Sequence, residues 1–191
     1  MPLRPPPLIV KNMILKSVIM DEAAVHRSMM RITHEIIEKN SGTENLVLLG
    51  IHRRGIPLAA MLRDNFARLG EGVVPLGSID ISLYRDDLTT LSDAPRTGNS
   101  EIPCDLNGKK VILVDDVIYT GRTVRAAIEA IFDSGRPRCI QLAVLIDRGH
   151  RELPVRPDYV GKNIPTSHTE VVSVMVDEYD GKTGVCLYQA D

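Results

Sequence analysis

The apolar residues between Asp21 and Gly42 recur at the spacing of a helix. One apolar stripe repeats at intervals of four, three and four residues and consists of Val25, Met29, Ile32 and Ile36. Asp21 is of a type that caps helix starts, and Gly42 is of a type that ends helices. The pattern predicts an amphipathic helix, and two shorter helices are predicted at 56–69 and at about 122–133.

Short apolar runs between polar turns predict the strands. Continuous apolar runs, typical of strands buried on both faces, occur at 46–49 and 111–114, and another strand is predicted at 140–146. Ile79, Ile81 and Leu83 alternate with polar residues, which predicts a further strand. Two short strands are predicted near 171–176 and 185–188. Because strands alternate with helices, we expect an α/β fold with a mostly parallel central sheet flanked by helices.

Two stretches of the sequence carry no such periodicity. Residues 86–103 are rich in Thr, Ser, Asp, Pro and Gly, and a loop this long inside a compact domain is usually functional or disordered. Residues 1–12 contain three consecutive prolines and are expected to form a flexible extension, with Met13 as a candidate start of translation. Residues 13–191 are expected to form a single domain.

Composition and charge narrow the function classes. The formal charge of −2 excludes a globally basic nucleic-acid binder but leaves room for a local basic patch. Cys104, Cys139 and Cys186 lack the paired spacing of a zinc site or a disulfide framework. No stretch reaches the roughly 18 continuous apolar residues of a membrane span. We therefore expect a cytoplasmic protein that does not enter membranes.

The segment 111–123 joins a buried strand, two adjacent acids, a Thr-Gly turn and a helix start. Carboxylates at the end of a strand can accept hydrogen bonds from vicinal hydroxyls, as on a ribose. The turn and the helix N–H groups can hold a phosphate. The alternatives are an acidic strand end with an ordinary helix cap, or a carboxylate pair that binds a metal. A Walker-type NTPase is disfavoured, because its glycine-rich lysine motif is absent.

The segment resembles the signature with which type I phosphoribosyltransferases bind phosphoribosyl pyrophosphate (PRPP). The residues that carry the resemblance are Val111, Ile112, Leu113, Val114, Asp115, Asp116, Val117, Ile118, Tyr119, Thr120, Gly121, Arg122 and Thr123. Three further segments, 80–87, 147–154 and 161–167, resemble one subfamily, which combines a pyrimidine-operon attenuation regulator with a uracil phosphoribosyltransferase. The resemblance covers about 14–188 and implies that family's fold, with a mobile loop and a small hood at about 147–176.

The resemblance also implies roles for individual residues. Asp115 and Asp116 would hold the ribose hydroxyls, and Arg53 and Arg54 would grip the pyrophosphate. Arg85 would act from the mobile catalytic loop, which also contains Arg96. The alternative for Arg53, Arg54 and Arg96 is a solvated loop charge. Mg²⁺ would be bound mainly by oxygens of PRPP, with no direct protein ligand.

The reaction implied is uracil plus PRPP giving UMP and pyrophosphate. Candidate base contacts are Arg148, Val172 and Val174, although the two valines could instead be core residues. The hood contains no Phe or Trp to stack on a base, which favours uracil over a purine. A phosphoribosyltransferase for hypoxanthine, guanine or orotate, without an RNA role, remains the alternative.

The subfamily resemblance further implies UMP-dependent binding to the leader mRNA of a pyrimidine operon. The candidate RNA contacts are Arg27, Arg31, His34, Lys39, His150 and Arg151, and Arg156 could extend the patch. The alternative is a solvated helix face with pairs such as Arg31 and Glu35. The resemblance also implies a homo-oligomer, dimer or higher, and a dimer could gather two basic patches into one RNA surface.

Overall fold

Two β-sheets organise the chain. The structure is a computed structural model and describes residues 13–82 and 99–190. Its elements are, in order, β1 (Met13–Met20), α1 (Glu22–Asn40), β2 (Leu46–Ile51), α2 (Gly55–Arg68), β3 (Leu76–Ile79), β4 (Lys110–Ile118), α3 (Arg122–Ser134), β5 (Cys139–Asp147), β6 (Tyr159–Asn163), β7 (Glu170–Met175), α4 (Asp177–Asp180) and β8 (Gly184–Ala190).

The central sheet has five parallel strands in the order β3-β2-β4-β5-β6. Alternate residues of β2 enter different cores. Leu46 and Leu48 join the core that contains α1 and α2, whereas Val47 and Leu49 join the core that contains α3. The α/β fold with a mostly parallel sheet flanked by helices is therefore confirmed, and β4 is its middle strand.

The second sheet is antiparallel, in the order β1-β8-β7. It pairs Met13 with Ala190, so it draws on both ends of the described chain. The predicted hood at about 147–176 differs from this arrangement in two ways. The segment β6 belongs to the central sheet, and β1, which the sequence did not predict, supplies an edge strand of the second sheet.

The first helix begins and ends as its sequence predicts. The side chain of Asp21 accepts a hydrogen bond from the Ala24 N–H at 2.7 Å, which caps the helix. The four residues of the predicted stripe, Val25, Met29, Ile32 and Ile36, are all buried. Ser41 then adopts a left-handed conformation and ends α1.

The strand predicted at 79–83 was misplaced, because β3 spans Leu76–Ile79. Its pairing with β2 ends where Ile51 meets Ile79. The Asp80 carboxylate then accepts hydrogen bonds from the N–H groups of Ser82, at 2.9 Å, and Asn99, at 3.2 Å. Such local side-chain bonds compete with a strand ladder and turn the chain away from the sheet.

The predicted extension at 1–12 and most of the predicted loop at 86–103 lie outside the described residues, as do Leu83, Arg85 and Arg96. All three cysteines are free thiols. Within the described ranges, no helix has the length and apolar character needed to cross a bilayer.

Candidate active site at the end of the central strand

Two carboxylates lie in the second half of β4, the middle strand of the parallel sheet. Asp115 is only 6% exposed, and Asp116 is half-buried. Each accepts a hydrogen bond from the next backbone N–H: Asp116 donates to Asp115 at 2.9 Å, and Val117 donates to Asp116 at 2.8 Å. The backbone therefore fixes both carboxylates, as a site for ligand hydroxyls requires.

Burial raises the pKa of both acids. For Asp115 the loss of hydration raises the pKa well above its ordinary value, and the neighbouring charge of Asp116 raises it further. For Asp116 burial also raises the pKa, while the Val117 N–H and the positive charge of Arg54 oppose that rise. Ligand hydroxyls that donate to the pair would stabilise its ionised form.

A sharp turn leads from these acids into α3. Gly121 has a φ of 95°, in the left-handed region, and a Cβ added there would lie 3.4 Å from the Cβ of Leu153. The Thr120 carbonyl accepts hydrogen bonds from the N–H groups of Glu152, at 3.0 Å, and Leu153, at 3.2 Å. The segment after β5 therefore holds the turn in place. The N–H groups at the start of α3 can bind an anion.

Arg151 connects the segment after β5 to this turn through hydrogen bonds. Its guanidinium donates to the carbonyl oxygens of Tyr119 at 2.8 Å, Val155 at 3.0 Å and Gly149 at 3.2 Å. It also donates to the Asp147 carboxylate at 2.5 Å. Arg151 was predicted to contact RNA, and the structure places its guanidinium among the protein's own acceptors, beside the turn at Gly121.

The start of α2, just after the β2–α2 loop, packs closely against the middle of β4. A Cβ added to Gly55 would lie 2.3 Å from the Val114 carbonyl oxygen, so only glycine allows this approach. Arg53, which follows a cis peptide bond, is exposed. Arg54 is half-buried and forms an ion pair with Asp180 at 2.9 Å, and its charge also acts on Asp116.

The predicted base contacts lie on β7 and in the segment that follows β5. Val172 and Val174 are buried in the core, which leaves only their main-chain groups for a ligand. Arg148, 8% exposed, donates to the Glu170 carbonyl at 2.7 Å and to Thr166 Oγ1 at 3.2 Å. Its guanidinium lies 4.3 Å from the centre of the Tyr119 ring.

An aromatic cluster, which the sequence analysis missed, borders the same turn. It contains Tyr119, His150 and His168. The His150 ring centroid lies 5.7 Å from that of Tyr119 and 4.1 Å from that of His168. Tyr119 lies within the predicted segment, yet no local spacing indicates that His168 approaches it. His150, predicted to contact RNA, lies 2.6 Å from the Thr166 carbonyl through Nε2.

The predicted basic face of α1 is only partly available to a ligand. Arg27 and His34 are exposed. Arg31 donates to the carbonyls of Val160 at 2.9 Å and Gly161 at 2.7 Å, and Lys39 pairs with Asp158. A cavity of ≈ 320 Å³ brings Lys162 beside Arg27 and Arg31. Lys162 was missed because it comes from β6, far along the sequence.

A search of the described ranges finds no group of three or more His, Cys, Asp or Glu side chains that could hold a metal ion. Asp115 and Asp116 are oxygen donors of the kind that Mg²⁺ prefers, but two carboxylates leave most of its coordination to other ligands. This donor set fits a Mg²⁺ ion that a phosphate-rich ligand carries.

Comparison with known proteins identifies the family. Residues 18–179 match the phosphoribosyl transferase domain family. The chain is 58% identical to the bifunctional protein PyrR of Caldicellulosiruptor bescii, over 91% of this chain and 95% of that protein. It is 59% identical to the protein of the same name from Acetivibrio thermocellus, over 92% and 95%. The chain belongs to the PyrR family. A third PyrR, from Clostridium perfringens, is 57% identical over 93% of this chain and 99% of that protein.

The fold of this PyrR-family chain also resembles solved structures of hypoxanthine phosphoribosyltransferases. A ternary substrate complex of a hypoxanthine phosphoribosyltransferase from Trypanosoma cruzi has a TM-score of 0.73 at 22% identity, covering 92% of this chain and 96% of that chain. A hypoxanthine phosphoribosyltransferase from Staphylococcus aureus has a TM-score of 0.66 at 17% identity, covering 97% of both chains. At such identities the likeness shows the fold alone.

Proposed function

We propose that this PyrR-family protein converts uracil and PRPP to UMP and pyrophosphate, and that with UMP bound it also binds pyrimidine-operon leader mRNA and promotes attenuation. The observation that carries the enzymatic half is the pair Asp115 and Asp116 at the end of β4, followed directly by the Gly121 turn. Sequence identities of 57–59% to proteins called bifunctional PyrR support both halves.

In this proposal each part of the site has one task. Asp115 and Asp116 accept hydrogen bonds from the two ribose hydroxyls, and the 111–123 segment seats the 5′-phosphate at the start of α3. Arg53 and Arg54, with Arg85 from beyond the described residues, neutralise the pyrophosphate. The bond from the anomeric carbon to pyrophosphate breaks, a bond to uracil N1 forms, and the N1 proton leaves to solvent.

Most of the catalytic effect would come from positioning and charge stabilisation, since the departing pyrophosphate needs no protein nucleophile. Mg²⁺ held mainly by PRPP oxygens would supply Lewis-acid stabilisation of the leaving group. The base would meet main-chain groups of Val172 and Val174, whose side chains are buried. Arg148 would hold the neighbouring 166–170 segment and reach the base with its remaining N–H groups.

A panel of bases tests the enzymatic half. Pyrophosphate release from PRPP should be stimulated by uracil and only weakly by hypoxanthine, guanine or orotate. A response to a purine or to orotate, with none to uracil, would favour the alternative phosphoribosyltransferase. The Asp116→Asn variant should lose activity with every base, because it alters the ribose contacts that all substrates share.

The observation that favours RNA binding is the cavity where Arg27, Arg31 and Lys162 meet, since three cations around one recess suit a phosphate. His34 and Lys39 would extend the contact along α1, and His150 and Arg151 are the further candidates. Filter binding of leader RNA should tighten with UMP and weaken in Arg27→Gln. Arg27 suits this test better than Arg31, whose removal would also break bonds to β6.

A matched control for that titration is Arg138→Gln, which removes an exposed arginine after α3. Equal loss of RNA binding in both variants would indicate only a general charge effect. We also propose a cytoplasmic protein that assembles as a dimer or higher homo-oligomer, which sedimentation velocity with and without RNA would test.

A further inference from the structure

The ion pair between Arg54 and Asp180 joins the β2–α2 loop to the short helix α4, which connects β7 and β8 of the second sheet. Arg54 donates through Nη2 to both carboxylate oxygens, at 2.9 and 3.2 Å, and through Nε at 3.3 Å. The side chains are 26% and 12% exposed, so the pair is largely shielded from water. Such two-point contact fixes the plane of a guanidinium as well as its position.

Asp180 is itself held in place. Its Oδ2 accepts a hydrogen bond from the Val176 N–H at 2.9 Å, and Gly181 follows in a left-handed conformation that ends α4. Nη1 of Arg54 donates to no acceptor among the described residues. One edge of the guanidinium is therefore occupied by Asp180, while the Nη1 edge remains available to an anion.

We propose that Asp180 is a positioning residue for the leaving pyrophosphate, holding Arg54 so that its free edge faces that anion. The inference rests on the proposed function, because it takes Arg54 as a pyrophosphate contact. Asp180 does not touch the substrate in this arrangement. A carboxylate on α4 thus orients a cation in the β2–α2 loop, and the pyrophosphate contact depends on both segments.

The test uses the full chain and measures binding of Mg²⁺-pyrophosphate, Mg²⁺-PRPP and UMP by calorimetry. Asp180→Asn keeps the shape but removes the charge that holds Arg54. It should weaken pyrophosphate and PRPP binding about tenfold, a typical effect for one charged hydrogen-bonded contact. UMP has no pyrophosphate, so its affinity should stay within about twofold of the wild type.

A double-mutant cycle with Arg54→Gln separates positioning from a general structural role. Arg54→Gln should weaken pyrophosphate binding at least as much, and adding Asp180→Asn should cause no further loss. Asp64→Asn is the matched control, because it removes the charge from the exposed Arg63–Asp64 pair on α2 and should change no affinity. Additive losses of pyrophosphate binding in the two single variants would overturn the proposal. An equal loss of UMP binding in Asp180→Asn would also overturn it.

Tighter pyrophosphate binding by Asp180→Asn would also overturn it, since Asp180 would then compete with the ligand. A wild-type protein that binds pyrophosphate and PRPP but does not react with uracil would contradict the proposed function while leaving this inference intact. A wild-type protein that binds neither PRPP nor pyrophosphate would overturn both.

Discussion

The proposed function of Asp115 favours its ionised form, whereas its surroundings favour its protonated form. Accepting a hydrogen bond from a ribose hydroxyl is easiest for the ionised form, yet the side chain is buried beside a second acid. Burial and the charge of Asp116 both raise its pKa, so the folded protein holds the Asp115 proton more tightly than the unfolded chain does. Ionising this group at neutral pH therefore costs stability.

Asp115→Asn should stabilise the fold at pH 8 while abolishing PRPP binding. Each pKa unit of elevation corresponds to about 1.4 kcal/mol of unfolding free energy above the raised pKa. Because the folded pKa is raised, the wild-type contribution is favourable at low pH and is lost as the pH rises through that pKa. Urea unfolding at pH 5 and pH 8 should show a gain that grows with pH, and a pH-independent loss would contradict this account.

Arg151 makes a second residue-level prediction possible. Lysine cannot span the acceptors that the guanidinium reaches on Tyr119, Val155 and Asp147. Arg151→Lys should therefore loosen the turn at Gly121 and raise the KM for PRPP by about tenfold, the effect of losing one charge-assisted bond. Arg138→Lys, at an exposed site, should leave KM unchanged. If Arg151→Lys lost RNA binding with normal PRPP kinetics, the direct RNA contact would be correct.

At the scale of elements, the approach of α2 to β4 sets the distance between the β2–α2 loop and the two acids. Gly55→Ala would place a methyl group 2.3 Å from the Val114 carbonyl, so α2 would have to move. We expect unfolding free energy to fall by about 3 kcal/mol, as for an overpacked core. Gly70→Ala is the control, because its added Cβ meets nothing within 4 Å and only its φ of 78° is strained. A loss for Gly55→Ala no larger than that for Gly70→Ala would contradict this steric account.

The elements that sequence reasoning predicted are those with a strong local pattern. The four-residue apolar stripe predicted α1, and the run 111–114 predicted β4 because both faces of that strand are buried. In contrast, β1 exposes Ile14, Leu15 and Val18, and two bulges interrupt its register with β8. Its apolar residues therefore follow no strand period, and its only partner among the described strands lies far along the sequence.

The residues of the candidate site likewise divide into those with a local sequence pattern and those without one. The segment 111–123 is contiguous, so one stretch of sequence shows its strand, acids and turn together. The contacts of Arg54 with Asp180 and of Arg151 with Tyr119 join separate segments, which no local pattern encodes. Sequence reasoning therefore found the charged residues but not the partners that orient them.

At the scale of the molecule, the two sheets share one core. Ile112 and Val114 of β4 pack in the same cluster as Val174 of β7 and Val185 of β8. We therefore expect calorimetry to show a single unfolding transition. UMP at about one hundred times its Kd should raise the unfolding free energy by about 2.7 kcal/mol. Two transitions, with UMP moving only one, would show that the second sheet unfolds independently.

The pairing of β1 with β8 has a consequence for biosynthesis. A ribosome releases β1 before the other described elements and β8 after them, so the nascent β1 has no strand partner until β8 has emerged. The parallel strands β2 to β6 can assemble earlier. Asp180 comes just before β8, so the turn at Gly121 emerges well before the carboxylate that pairs with Arg54.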